Sequence, residues 1–128
     1  MPSTRKHYST GSPFEASMAY SRAVVQSDWC FVSGVTGYDY STMSMPDAVE
    51  AQADQAFQTI EGVLQQAGFS LADIVRVQYT ITDASNVDSL APVLERWLGD
   101  VRPAATMVVA GLIQPDMLIE IEVTAFRG

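Results

Sequence analysis

Over residues 49–67 the apolar side chains recur at three- and four-residue steps: Val49, Ala53, Ala56, Phe57, Ile60, Val63, Leu64 and Ala67. That spacing lines them along one side of a helix of about five turns. Gln52, Gln55, Gln58, Glu61 and Gln65 fill much of the other side. Pro46 sits where a first turn tolerates a missing N–H, Asp47 and Glu50 suit the positive end of the helix dipole, and Gly68 is fit to end it. A helix with one apolar side must lay that side on something, and the rest of the chain reads as the sheet that receives it.

Residues 21–26 and Trp29–Val35 carry β-branched and aromatic residues on either side of Ser27-Asp28, a two-residue hairpin connection. Residues 74–82 alternate Ile74, Arg76, Gln78 and Thr80 against Val75, Val77, Tyr79 and Ile81, the pattern of a half-buried strand. A second helix starts around Asn86 to Asp88 and carries Val87, Leu90, Val93, Leu94, Trp97 and Leu98. Pro92 falls inside it and removes a donor, so an irregular first turn is expected. Residues 106–110 and 118–126 are the last strands, with a turn at Gln114-Pro115-Asp116. The order β-β-α-β-α-β-β predicts one α+β domain over residues 19–128. The Ser-, Thr-, Gly- and Pro-rich residues 1–18 read as a loop or loosely attached arm.

The 128 residues suffice for one core, and a net charge of −8 repels phosphate backbones, which argues against a nucleic-acid partner. One cysteine can form neither an internal disulfide nor a thiolate zinc cage. No apolar run approaches the roughly 20 residues of a membrane span, and no apolar stretch follows the first charges as in a secretory signal. A soluble, cytoplasmic protein is the expectation, with no membrane partner, no metal and no cofactor.

Few residues offer chemistry. His7 is the single histidine and lies in the arm, where a triad would have to recruit it; the simpler reading is a solvated residue. Cys30 stands mid-strand with no basic neighbour to lower its pKa and reads as a small buried hydrophobe. In Leu118-Ile119-Glu120-Ile121-Glu122-Val123 the alternation puts both glutamates on one face and Ile119, Ile121 and Val123 on the other. Either that face is simply solvated, or one carboxylate faces a pocket where burial raises its pKa and lets it activate water.

Phe31-Val32-Ser33-Gly34, Ala51-Gln52 in the helix, Ala67-Gly68-Phe69-Ser70-Leu71-Ala72-Asp73-Ile74-Val75, Arg102-Pro103-Ala104 and Ile119-Glu120-Ile121-Glu122 follow one another in that order. Together, from about Tyr20 to Arg127, they resemble the reactive intermediate deaminase (Rid, also YjgF) family of small trimeric proteins. The resemblance implies a chorismate-mutase-like subunit of a homotrimer, with small-molecule pockets between subunits and hydrolysis of imines and enamines such as 2-aminoacrylate. Carried over by residue, Tyr20 and Ser33 line the pocket, Gly34 and the backbone around Ala105 and Met107 approach the ligand, and Glu120 orients the attacking water.

One departure from the family pattern stands out. Active deaminases have an arginine two residues after the motif proline, where it forks onto the substrate carboxylate; here Pro103-Ala104-Ala105 puts Ala105 there. Ala91, beside Pro92, stands where a polar pocket residue is common, and Met107 where a cysteine is common. Arg22 shares strand parity with Tyr20 and is a candidate substitute clamp, its plain alternative being a solvated strand residue; Arg102 has the opposite parity. Glu15 either enters the pocket as a second carboxylate or stays in solvent. Three functions are compatible with these residues: an imine or enamine hydrolase for a substrate without the usual α-carboxylate, a non-catalytic trimer that binds a metabolite, and, disfavoured by charge, an endoribonuclease or translation inhibitor.

Overall fold

The computed structural model describes residues 5–128, so residues 1–4 of the arm lie outside it. In chain order the elements are β1 (Lys6–Tyr8), α1 (Pro13–Ser17), β2 (Ala23–Gln26), β3 (Trp29–Val35), α2 (Val49–Gln66), β4 (Ile74–Ile81), α3 (Val87–Leu98), β5 (Ala104–Val109) and β6 (Ile119–Phe126). Short 3-10 turns at Leu71–Asp73 and Ala84–Asn86 lead into β4 and α3. The α+β architecture is as the sequence predicts, with β1 and α1 added before it.

The added elements correct the reading of a loose arm. Lys6, His7 and Tyr8 pair with Val25, Val24 and Ala23 and extend the sheet by one strand. The Ser12-Pro13 pair, a turn signal on composition, here starts α1: the Ser12 hydroxyl accepts from the Phe14 N–H at 3.2 Å, and Pro13 occupies the first helical position.

The strands form one sheet in the order β1-β2-β3-β6-β4-β5. β6 is last in the chain yet lies between β3 and β4, antiparallel to both, while β5 runs parallel to β4 at the far edge. The 114–116 turn therefore does not make β5 and β6 a hairpin. At the other end of the sheet Ser27, at φ 54°, closes the expected two-residue hairpin between β2 and β3.

Helices α2 and α3 cover one face. Phe57, Ile60 and Leu64 of α2 and Leu90 of α3 are fully buried against Val35, Val77, Ile81, Ile119 and Ile121. Each such side chain contributes about 2–3 kcal/mol of transfer free energy. At the end of α2, Gly68 takes φ 86°, and the Phe69 N–H returns to the Leu64 carbonyl at 2.8 Å. The alternation in β4 breaks at its start, where the pairing with β6 shifts between Ile74 and Arg76, so Ile74 is buried and Val75 exposed.

Gln52 is a second correction. It lies on the covered side of α2, fully buried, rather than among the outward glutamines. Its amide donates to the Pro46 and Asp116 carbonyls, both at 2.9 Å, and accepts from the Leu118 N–H at 2.9 Å. It thus ties the loop before α2 to the chain entering β6. A Cβ at Gly37 would lie 2.6 Å from the Gln52 Cβ, so glycine there lets the loop pass over it.

Candidate functional site

Strand parity puts Glu120, Glu122 and Ser33 on the sheet face that α2 and α3 leave uncovered, since Ile119, Ile121 and Val32 point into the core. On that face a cavity of about 580 Å³ is lined by Ser33 and Gly34 of β3, Glu120 of β6, Phe14 and Ser17 of α1, and Met18, Tyr20, Thr36, Tyr40, Ile113 and Met117. Its walls are mostly carbon, and among the described residues Glu120 is the one ionisable carboxylate or cation that lines it. The Tyr38 hydroxyl donates to Gln114 Oε1 at 2.6 Å and joins the two loops that form its rim.

The sequence thus placed Tyr20, Ser33, Gly34 and Glu120 around what the structure forms as one cavity. It missed Phe14, Met18, Tyr40, Ile113 and Met117. These come from loops and from α1, and no local pattern marks a loop residue that folds over a sheet.

Glu120 sits where β3 bulges. Val32 pairs with Val123 and Val35 with Ile121, so three steps along β3 match two along β6, with Ser33 and Gly34 between. A Cβ at Gly34 would lie 2.5 Å from the Glu120 carboxyl carbon, so the carboxyl packs directly on the glycine backbone. Burial pushes the Glu120 pKa above the usual carboxylate range and the neighbouring Glu122 adds to this, while Arg22 opposes both. Among the described residues no protein hydrogen bond is made to its carboxyl oxygens. The neighbouring hydroxyls bond to other groups. Ser33 Oγ donates to the Ser21 and Arg22 carbonyls, at 3.1 and 3.0 Å, and the Tyr20 hydroxyl accepts from Arg22 Nη2 at 3.4 Å.

Arg22 is neither a solvated residue nor a lining one. It is fully buried, and its Nη1 donates to the Gly34 carbonyl at 2.7 Å and to Ser33 Oγ at 3.4 Å. Glu15 is buried too, against the expectation of solvent, and does not line the cavity. Its Oε2 accepts from the Thr10 N–H and hydroxyl at 3.0 and 2.7 Å and stands 3.9 Å from Arg22 Nε. Burial raises the Glu15 pKa, but the hydrogen bonds of Thr10 and Ser9 and the charge of Arg22 outweigh it, and the net shift is downward.

Ala105 and Met107 lie elsewhere in this subunit. They pair with Val77 and Tyr79 of β4 and face the helix side of the sheet, opposite to Glu120. Ala105 shares a groove of about 410 Å³ with Ala91, Leu94, Leu98, Arg102 and Pro103. Arg102, at φ 54°, reaches out to Glu95 at 3.5 Å. His7 is exposed on β1, with Nδ1 2.9 Å from Ser21 Oγ. Cys30 is fully buried, and burial pushes its thiol up to about 11, leaving an inert thiol. Among the described residues no three His, Cys, Asp or Glu side chains gather where they could hold a metal ion, and no helix is long and apolar enough to cross a membrane.

A family model described as endoribonuclease L-PSP matches residues 10–127. Among solved structures, a member of the YjgF/YER057c/UK114 family from Mycobacterium tuberculosis is 38% identical and superimposes with a TM-score of 0.88, covering 97% of this chain and all of that one. RidA from an Antarctic Psychrobacter is 29% identical with a TM-score of 0.81, covering 95% of this chain and 94% of that one. The RutC family protein UK114 of Drosophila melanogaster is 28% identical over 97% of this chain and 91% of its own length.

Proposed function

The chain belongs to the Rid/YjgF family, whose family model carries the endoribonuclease L-PSP description, and from that premise we propose that it is a cytoplasmic homotrimer hydrolysing an imine or enamine without an α-carboxylate. The observation that carries this reading is Glu120: a carboxyl with a raised pKa and no protein hydrogen bond, in a cavity of carbon walls. An imine carbon is already electrophilic. A water held by Glu120 adds to it, the water proton passes through the carboxyl to nitrogen, and collapse of the carbinolamine expels ammonia and leaves a carbonyl. Tyr20, Ser33 and Gly34 shape the ground on which the substrate lies.

The uncovered sheet face favours assembly. Trp29, Phe31 and Phe126 cluster there, exposed, with the Trp29 and Phe126 rings 4.5 Å apart between centroids. Such a face on a small domain suits a second copy. Ala105 and Met107, on the edge strand β5, would reach a Glu120 cavity only as residues of a neighbouring subunit. The ligand then lies between subunits and meets a methyl group where the resemblance implies an arginine. Arg22 is a poor candidate for the missing clamp, because it is fully buried outside the cavity lining and its Nη donors are turned to Gly34, Ser33 and Tyr20.

The test is ammonia release from 2-aminoacrylate alongside a panel of imines without a carboxylate. Turnover of the panel, lost in Glu120→Gln, is the expected result. 2-Aminoacrylate should be poor by roughly thirty- to several-thousand-fold against an arginine-bearing relative, the equivalent of about 2–5 kcal/mol for one lost charge-assisted pair. Ala105→Arg should recover part of it. Saturable binding of the panel with no turnover would make the protein a metabolite-binding trimer instead. The family description raises RNA cleavage as a reading; the charge of −8 opposes it, and RNA cleavage at physiological salt would overturn the hydrolase assignment.

A further inference from the structure

We infer that Arg22 is the positioning residue of the Glu120 site: from beneath the cavity its guanidinium pins the Ser33–Gly34 bulge on which Glu120 rests and holds the Tyr20 and Tyr40 walls, without itself meeting the ligand. The inference deepens the proposed reading of this site and rests on it for the chemistry, though not for the geometry.

A fully buried guanidinium carries a large desolvation cost unless every donor is used. Here the use is uneven. Nη1 makes the short bond to the Gly34 carbonyl, Nη2 reaches the Tyr20 hydroxyl, and Nε is buried with no hydrogen-bond partner, Glu15 standing 3.9 Å away. An ion kept at that cost for stability alone would be better replaced by carbon. What this one does is specific to the cavity. The bulge takes Gly34 out of register with β6, and Arg22 binds the carbonyl of that residue. The Glu120 carboxyl packs on the same glycine. Guanidinium, Gly34 and carboxyl are therefore stacked in sequence, and a shift of the first moves the last. The guanidinium carbon also lies 4.8 Å from the Tyr40 ring centroid and 5.6 Å from that of Tyr20, so two cavity walls lean on one side chain.

Arg22 also acts on charge. The groups that bear on the Glu120 carboxyl are Glu122 on its own strand, which raises its pKa, and Arg22 from the chain before β2, which lowers it. Glu15 of α1 stands 3.9 Å from Arg22 Nε, and its negative charge partly offsets the guanidinium's. Removing the guanidinium charge leaves Glu120 with burial and Glu122 alone.

The test reads Glu120 directly, by carboxyl carbon NMR titration of the whole protein without substrate. Arg22→Gln should shift the Glu120 midpoint upward. Arg22→Lys keeps the charge but cannot fork; it should leave the midpoint near its native place, while the Tyr20 and Tyr40 ring signals broaden and kcat on any active imine falls ~10-fold or more with KM little changed. Glu15→Gln strips the counter-charge and should move the midpoint down, which carries the test if Arg22→Gln does not fold. An unmoved midpoint in a folded Arg22→Gln, or in Glu15→Gln, overturns the proposal. A moved midpoint in a protein that turns over no imine keeps the role of Arg22 and discards the hydrolase reading.

Discussion

The charged form of Glu120 lies among Phe14, Met18, Tyr40, Ile113 and Met117, and that placement costs stability. Its folded-state pKa lies above the unfolded value, through burial first and Glu122 second. The stabilisation from protonating it is complete below the unfolded pKa and is lost as pH rises through the folded one. Glu120→Gln should therefore raise the melting temperature at pH values above the folded-state pKa and change it progressively less as the pH falls below the unfolded one. A gain of equal size in both pH ranges, seen in paired thermal scans, would show that charge is not the cause. Glu15 behaves in the opposite sense. Its pKa is lowered, so what it contributes is present above the unfolded value and lost as pH falls through the folded one. At this scale alternation and the family resemblance marked Glu120, while Arg22 and Glu15 were candidates for the pocket or for solvent and proved to be buried beside it, because parity assigns a face but says nothing of depth.

At the level of elements, one residue of α2 joins the core to the site. Gln52 bonds the backbone of two loops, one of them the entry to β6 two residues before Glu120. Gln52→Leu keeps the volume but strands the Leu118 N–H and two carbonyls away from water. The expected loss is about 2–4 kcal/mol, read as a lower urea midpoint with an unchanged slope. An unaltered midpoint would mean the loops find other partners. The periodicity of α2 was legible, and with it the helix from Val49 to Gln66. The inward position of Gln52 was not, since a buried amide looks in sequence like any other polar residue on the stripe's border. α1 escaped for a related reason: five residues are too few to show a period.

For the whole molecule, the decisive surface is the uncovered sheet face, where Phe31 is 48% exposed and Trp29 41%. A trimer that buries it should appear in sedimentation at micromolar concentration as three copies of the 13.9 kDa chain. Phe31→Glu, a charge set opposite Thr124 on the open face, should shift that mass toward the monomer and leave the helix-covered core folded. A monomeric native protein would remove the route by which Ala105 and Met107 reach the Glu120 cavity, and with it the explanation for a missing carboxylate clamp.

What the sequence determined by itself is the local: where the periods of 3.6 and 2 run, where Gly68 stops a helix, where Ser27-Asp28 turns a hairpin, and which face of β6 bears its glutamates. These depend on interactions between residues a few positions apart, and such spacings are written in the chain. Only the tertiary structure decided that β6 enters the sheet between β3 and β4, that β1 joins it, and that Arg22 lies beneath Gly34 while Ala105 faces the other way. Those outcomes are set by pairings between residues as far apart as Trp29 and Phe126, chosen by the burial they jointly achieve, and no window along the chain contains both partners.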